Sequence, residues 1–104
     1  MPSPIDSHSS VLISDRLYVL FGYFADSGTL SNAVYEYSFV NNEWICLFAN
    51  SPHFSHNTHP KARFESAVTY LPSKVDSIYA FGGTDGFVRM NDLWEFNLKT
   101  KQYL

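Results

Sequence analysis

The feature that most constrains this chain is an internal repeat with a period of about 60 residues. Residues 18–23 (YVLFGY) match residues 78–83 (IYAFGG), with the two Phe-Gly pairs 60 positions apart. Residues 32–39 (NAVYEYSF) match residues 91–98 (NDLWEFNL) at an offset of 59, and at that offset a tryptophan matches a tyrosine further on. These matches occur in the same order in both halves, which indicates two copies of one structural unit.

Each copy contains the same series of short apolar segments separated by polar turns, a pattern that is typical of β-strands. In the third segment of each copy the aromatic residues alternate, as in Tyr35 and Tyr37 or Trp94 and Phe96. This alternation places them on one face of a sheet. No stretch of ten or more residues shows helical periodicity, so the sequence predicts an all-β chain with two four-stranded antiparallel sheets. The predicted strands are 10–14, 17–22, 34–39 and 44–48 in the first copy, and 66–71, 77–82, 93–98 and a last one from about 102 in the second.

The composition limits the classes of partner. Hydrophobic residues make up 45% of the chain, aromatic residues 17% and charged residues 16%, which describes a globular chain rich in β-forming residues. The net charge is −3 and no cluster of Lys and Arg is present, so we expect no nucleic-acid partner. The apolar runs are too short to span a bilayer, and residues 1–6 do not resemble a signal peptide. We therefore expect no membrane partner and a cytoplasmic location.

The second copy resembles the kelch repeat. Its strand end at 78–83 (IYAFGG) and the segment 91–96 (NDLWEF) fit the kelch pattern closely, and residues 60–63 (PKAR) resemble the arginine-bearing start of such a repeat. The first copy is looser: Tyr23 takes the place of the second glycine, and Ile5 stands where an arginine is expected. The resemblance covers nearly the whole chain, and it implies blades of a kelch-type β-propeller.

The resemblance also implies the organisation of the chain. We expect a first blade at 6–48, an inter-blade loop at 49–60 and an incomplete second blade at 61–104, whose last strand is truncated. A propeller usually closes with four to eight blades, so this would be a partial propeller that needs further kelch blades from the same or another chain. Because each blade buries its faces against its neighbours, we expect the isolated chain to aggregate, to form oligomers or to melt without cooperativity.

In kelch-type propellers the loops between the second and third strands share a face with the inter-blade loops, and that face resembles the usual ligand surface. Here these loops are 23–31, 84–90 and 50–60, and they carry aromatic, acidic and arginine side chains that often contribute to protein binding. An alternative for Phe24 or Phe87 is that the ring folds back and anchors its own loop. The candidate partner-binding residues are Tyr23, Phe24, Asp26, Phe54, His56, Asp85, Phe87 and Arg89.

Chemistry has less support than binding. His53, His56 and His59 recur every third residue and suggest a metal site, but extended residues at this spacing point in different directions, so a solvated polar loop is the preferred interpretation. Cys46 lies in an apolar strand and is expected to be buried and inert. We therefore predict a protein-binding scaffold that is not an enzyme, with no catalytic residues, metal or cofactor. The alternatives are part of a kelch-propeller enzyme with a metal site in the histidine-rich loop, or an inactive truncated product.

Overall fold

The computed structural model describes residues 3–51, 58–71 and 76–104, and within these ranges every regular element is a β-strand. No helix of the length and apolar character that would cross a membrane occurs in these three ranges. The strands are β1 (Ile5–Asp6), β2 (Ser9–Ile13), β3 (Arg16–Phe24), β4 (Thr29–Ser38), β5 (Glu43–Phe48), β6 (Ala67–Tyr70), β7 (Ser77–Thr84), β8 (Arg89–Asn97) and β9 (Gln102–Tyr103).

The strands form two antiparallel sheets, which confirms the predicted all-β class. In the first sheet β3 pairs with β4, β4 pairs with β5, and both β1 and β2 pair along β3. In the second sheet the order is β6-β7-β8-β9. Each sheet is a meander of consecutive hairpins, and β1 is an additional short strand that the sequence pattern did not reveal.

The central hairpin of each sheet is longer than the sequence predicted. We expected long loops at 23–31 and 84–90, but β3 continues to Phe24 and β4 already begins at Thr29. In the second sheet only residues 85–88 separate β7 from β8. The pairing register shifts between Leu20 and Gly22, and again between Phe81 and Gly83. Such a bulge bends the strand and lets the pairing continue beyond the glycine, where the sequence pattern suggested that the strand ends.

The backbone shows which positions of the two copies are equivalent. Apart from Ser14, the described residues with positive φ occur in matched pairs along the two sheets. Gly22 (φ 115°) corresponds to Gly83 (φ 106°), and Phe21 (φ 63°) corresponds to Gly82 (φ 69°). Further pairs are Ser7 with Glu65, Gly28 with Gly86, and Asn42 with Lys101. The match of Gly22 with Gly82 is therefore wrong by one residue, and Phe21, not Tyr23, replaces a glycine of the Gly-Gly pair. We call residues equivalent in this sense counterparts.

The two sheets pack face to face around one apolar core. Leu20 and Val34 are Cα partners in the first sheet, and both are fully buried against the second sheet. Ile78 and Phe96 are partners in the second sheet and face them in the same core. The Phe48 ring of the first sheet extends this contact.

Opposite faces of the two sheets meet in this core. The counterparts of Leu20 and Val34 are Phe81 and Leu93, which are also Cα partners but lie on the uncovered face of the second sheet. Glu36 is buried in the core region, and its counterpart Glu95 lies on the uncovered face. The packing is therefore head to tail, with one face of the first sheet against the opposite face of the second, and it has no two-fold axis.

The segment that connects the sheets is held by Asn32. Its side-chain nitrogen donates to the carbonyl oxygens of Ser51 (2.9 Å) and Pro60 (3.1 Å), and its side-chain oxygen accepts from Ser51 N–H (2.8 Å). Asn50 Oδ1 accepts from the backbone N–H of Asn32 at 2.7 Å. Both described ends of the connecting segment are thereby tied to the start of β4. From the second sheet, Tyr103 donates its hydroxyl to Asn32 C=O at 3.2 Å.

The expectation that Cys46 is buried is wrong. Cys46 is opposite Tyr35 in the β4–β5 ladder and is exposed, because the face of the first sheet that it shares with Tyr35, Tyr37 and Trp44 lies away from the second sheet. Residues 44–48 are apolar on both faces of β5, so the sequence does not show which face is buried. Only one of these faces is covered in the structure, with Phe48 on the covered side.

Candidate functional site

The turns at 25–28 and 85–88 lie close together at one end of the two sheets, and we call this region the loop surface. Between them runs a groove of about 510 Å³ whose walls come from both sheets. The first sheet contributes Tyr23 and Leu30, and the second contributes Phe64 and Phe87. Residues from β1 and the β1–β2 connection and from both turns complete the lining: Asp6, Ser7, Gly28, Asp85 and Gly86. The groove is therefore a mainly apolar channel between the two copies.

Phe87 is the most exposed large apolar residue that the structure describes. It lies at the tip of the second turn, and its accessible surface is 95% of the maximum. Its counterpart turn in the first sheet carries no aromatic side chain at the tip. A fully exposed aromatic ring beside an apolar groove is typical of a protein-binding surface, because aromatic residues supply large contact area when they become buried.

Asp85 fixes the shape of the second turn. Its Oδ1 accepts from the backbone N–H groups of Phe87 (2.9 Å) and Val88 (2.8 Å), and its Oδ2 accepts from Lys61 Nζ at 2.7 Å. The hydrogen bond from Lys61, followed by those from the two backbone N–H groups, holds the pKa of Asp85 well below its usual range. Asp85 thus serves as an intramolecular clamp, because hydrogen bonds within its own sheet and to Lys61 use both carboxylate oxygens.

A second groove of about 390 Å³ lies on the other side of the same turn. Arg89 and Lys61 line it, together with the aliphatic parts of Val88 and Met90. Arg89 is exposed and has no ion-pair partner among the described residues. The loop surface therefore presents an aromatic side and a cationic side, separated by the turn that carries Phe87.

A buried arginine supports both grooves from below. Arg63 is 2% exposed, and its guanidinium donates to Asp92 Oδ2 (2.9 Å) and to Gly82 C=O (3.1 Å), while its Nε donates to Lys61 C=O (2.8 Å). The hydrogen bonds from Arg63, and a further one from the Trp94 indole, hold the pKa of Asp92 below its usual value of 3.8. The paired guanidinium and carboxylate form a fixed two-point contact.

This arginine also joins the two sheets. Its guanidinium carbon lies 5.8 Å from the centre of the Phe21 ring in the first sheet, within the range of a cation–π contact. Its carbonyl accepts from Gly22 N–H at 2.8 Å, and its own N–H donates to Ser31 C=O at 3.3 Å. The backbone of residue 63 thus binds to both β3 and β4 of the neighbouring sheet, at the bulge in their ladder. The loop surface is consequently held on a rigid base.

The structure brings some of the predicted residues together and separates others. Tyr23, Asp85 and Phe87 line the apolar groove, and Arg89 lines the second groove. Phe24 is half-buried and pairs with Ile5 in the β1–β3 ladder, so the alternative of a loop anchor fits Phe24 and not Phe87. Asp26 lies exposed in the first turn, outside the linings of both grooves. The remaining two predicted residues, Phe54 and His56, lie outside the described residues.

Several residues of the loop surface were missed by the sequence interpretation. Leu30, Phe64, Asp6 and Ser7 line the apolar groove, and Lys61 binds Asp85. Leu30 was assigned to a loop interior, and the others lie at the starts of the two copies. Residues 60–63 (PKAR) were recognised as the start of a repeat. The adjacent aromatic residue Phe64 was the feature of the sequence from which a further groove residue could have been predicted.

The histidine-rich loop is only partly described. His53 and His56 lie outside the described residues. The ring of His59 packs against the Phe48 ring (centroids 5.8 Å apart) and its Nδ1 lies 2.8 Å from Thr58 Oγ1. His59 is buried, so it belongs to the packed region between the sheets. In the part of the chain that the structure describes, no group of three or more His, Cys, Asp or Glu side chains is arranged to hold a metal ion.

Comparison with known proteins yields limited similarity. No protein-family model matches the chain. The chain is similar to a leucine-zipper-like transcriptional regulator 1 homolog from Drosophila melanogaster, with 25% identity over 103 residues. The aligned region covers 93% of this chain but 10% of that protein, so the chain spans about a tenth of the length of the relative that it matches.

Proposed function

We propose that this chain is a pair of blades of a kelch-type β-propeller that acts as a protein-binding scaffold, with the loop surface as its partner-binding site. The observation that carries the binding proposal is Phe87, exposed at the tip of a turn that Asp85 holds rigid above an apolar groove. A rigid aromatic anchor loses little conformational entropy on binding, and such anchors often dominate binding energy.

Three features of the structure support the kelch-type propeller. Each copy is an antiparallel meander, the two sheets meet through opposite faces, and the backbone of the arginine in the second copy is bonded to the neighbouring sheet. Head-to-tail packing of like sheets, with a rotation from each sheet to the next, is how a propeller surrounds its axis, whereas a closed sandwich pairs its inner faces with each other. The further blades of such a ring belong to this proposal. So does a cytoplasmic location, where an exposed thiol such as Cys46 remains reduced.

The aromatic side of the loop surface is tested by photo-crosslinking followed by a binding assay. A photoreactive phenylalanine analogue at position 87 is expected to crosslink a partner protein, which mass spectrometry then identifies. The same analogue at Phe39 is the matched control, because Phe39 is also exposed but follows β4 at the opposite end of the sheets. A partner captured equally from both positions would not be specific to the loop surface.

The identified partner is then titrated against purified variants. Phe87→Ala is expected to weaken its affinity roughly 30-fold, the effect of losing about 2 kcal/mol at a central anchor. Arg89→Ala is expected to weaken it less, and more strongly at low salt, because an exposed cation mainly accelerates association. Phe39→Ala should leave the affinity unchanged. An unchanged affinity of the Phe87→Ala variant would contradict the proposed site.

A further inference from the structure

The second sheet exposes an apolar face that the first sheet keeps covered. Phe81 is 53% exposed and Leu93 is 65% exposed, although their counterparts Leu20 and Val34 are fully buried beneath the second sheet. The same register therefore places apolar side chains where, in the other copy, a neighbouring sheet lies. We call the face of the second sheet that carries Phe81 and Leu93 the tail face.

The first sheet exposes the complementary face. Tyr35, Tyr37 and Trp44 lie on it together with Leu12, which is 62% exposed. The counterparts of Tyr37 and Trp44 in the second sheet are Phe96 and Tyr103, and both are almost fully buried against the first sheet. We call this face of the first sheet the head face. Within one molecule, the face of the second sheet that carries Phe96 and Tyr103 corresponds to the head face. It already covers the face of the first sheet that carries Leu20 and Val34, which corresponds to the tail face.

The tail face also has a vacant backbone position. In the first sheet, Gly22 N–H and Ser31 C=O bind the backbone of residue 63. Their counterparts are Gly83 N–H and Met90 C=O, and no backbone group from another segment of the described chain bonds to them. Asn91 is the counterpart of Asn32, but it is exposed and makes none of the side-chain bonds with which Asn32 holds the connecting segment.

The chain itself contains a segment that fits this position. Ile5 is the counterpart of Arg63: a Cβ built on Gly22 would meet Ile5 Cγ1 at 2.7 Å, as one on Gly83 would meet Arg63 Cδ at 3.3 Å. In a second copy of the chain, β1 therefore stands in the same relation to the head face as residues 63–64 do to the second sheet. The backbone of Ile5 from that copy can take the place on Gly83 and Met90 that Arg63 takes on Gly22 and Ser31.

We propose that copies of this chain associate head to tail, with the tail face of one copy against the head face of the next and with the backbone of Ile5 of the second copy bound to Gly83 N–H and Met90 C=O. The occupant is a second copy because the internal contact shows that sheets of this sequence pattern fit together in this order. The side chains that β2–β5 place on the head face are uncharged, so no like charge meets Glu95 of the tail face, whose carboxylate already accepts a hydrogen bond from Ser77. Such a contact uses two different surfaces, so it continues beyond a dimer unless a ring closes.

The decisive experiment uses one variant for each face. Leu12→Asp blocks the head face and Leu93→Asp blocks the tail face, and because both leucines are exposed in the single chain, neither change alters its core. Val40→Asp, at an exposed position in the β4–β5 turn, is the matched control. Masses are measured by sedimentation velocity over a wide range of protein concentration, with circular dichroism to confirm that each variant is folded.

We expect the wild type and the Val40→Asp variant to grow beyond a dimer as the concentration rises. Each blocked variant alone should remain a monomer at concentrations at least roughly tenfold higher, since association would bury an unpaired carboxylate. An equimolar mixture of the two blocked variants should form a dimer and stop there, because it contains one intact tail face and one intact head face. A wild type that stays monomeric, or a mixture that stays monomeric while the wild type assembles, would refute the proposal.

Cys46 gives a second measurement on the unmodified chain. It lies on the head face, so its rate of reaction with a thiol reagent should fall as the wild-type concentration rises and the face becomes covered. In the Leu93→Asp variant the rate should be independent of concentration, and the opposite pattern would count against the proposal. The inference stands apart from the loop surface, because a Phe87→Ala variant should assemble like the wild type whether or not it binds a partner.

Discussion

The two sheets follow the same backbone path, but the segment at the start of each sheet is held in place by different contacts. In the first sheet, Ile5 lies over Gly22 as an apolar contact. In the second, Arg63 lies over Gly83 and is bonded to Asp92, whose counterpart in the first sheet is the buried Ala33. The same backbone path therefore accommodates either an apolar contact or an ion pair at the same place.

This difference shows what the repeat preserves. Positive φ is kept at matched positions even where glycine is not, as Phe21 and Gly82 show. A non-glycine residue in this conformation is uncommon and is maintained by the surrounding structure. The strand path determines the backbone at these positions, and the side chains vary according to what each sheet contacts. At this position the Phe21 ring makes the cation–π contact with the Arg63 guanidinium.

The largest effect is expected from removing the arginine of the second sheet. Arg63→Ala should reduce the free energy of unfolding by about 3 kcal/mol, because Asp92 loses its cation, Lys61 C=O loses the Arg63 Nε donor, and Gly82 C=O keeps only the Ser66 hydroxyl. The corresponding change in the first sheet, Ile5→Ala, should cost about 1 kcal/mol, since a half-buried side chain loses only part of its apolar contact. Urea denaturation at a fixed low protein concentration measures both. Equal losses would mean that the ion pair adds nothing beyond apolar contact.

A smaller effect separates the two asparagines. Asn32→Ala should cost about 2 kcal/mol, because it removes the three side-chain hydrogen bonds that hold the connecting segment in a buried site. Its counterpart Asn91 is exposed, so Asn91→Ala should change the stability of the monomer by less than about 0.5 kcal/mol. The same denaturation assay applies. A large loss at Asn91 would show that it already holds a segment within its own chain.

The smallest expected effect is on acid stability. Hydrogen bonds from Arg63 hold the pKa of Asp92 below its usual value of 3.8. The ion pair therefore stabilises the folded state above about pH 4, and this stabilisation is lost as the pH falls through the lowered pKa. Between pH 5 and pH 2.5 the Asp92→Asn variant should lose about 1 kcal/mol less than the wild type, a modest figure because the Asp92 side chain is 41% exposed. If the free energy of unfolding fell equally with pH in the two proteins, Asp92 would not contribute to the loss of stability in acid.

The sequence predicted the strand class, the repeat and the order of the elements, because alternation and turn residues act locally. It misplaced the ends of the central hairpins, since the bulges at Gly22 and Gly83 continue the pairing where glycine suggested an end. It also matched the copies one residue out of register, because the conspicuous Phe-Gly letters conceal that Phe21 has the glycine conformation. The register depends on backbone geometry that only the folded sheet defines.

The candidate site was predicted in outline. The loops between strands and the kelch resemblance led to eight candidate residues, and the structure places four of them, Tyr23, Asp85, Phe87 and Arg89, along the two grooves of the loop surface. The groove itself was not, because Phe64 and Leu30 are brought together from distant parts of the chain by the stacking of the two sheets. For the same reason the burial of Cys46 was misjudged: an apolar strand does not indicate which of its faces another sheet will cover.

The consecutive hairpins of each sheet bear on the order of folding. Within each sheet, neighbours in the chain pair with each other, whereas the bonds between the sheets join residues as far apart as Asn32 and Tyr103. Closing short loops costs less entropy than closing long ones, so each hairpin stack is expected to assemble early and the sheets to dock late. Contacts that form after the folding transition state affect mainly the unfolding rate. The hydrogen bonds of Asn32 should therefore slow unfolding and have little influence on the folding rate.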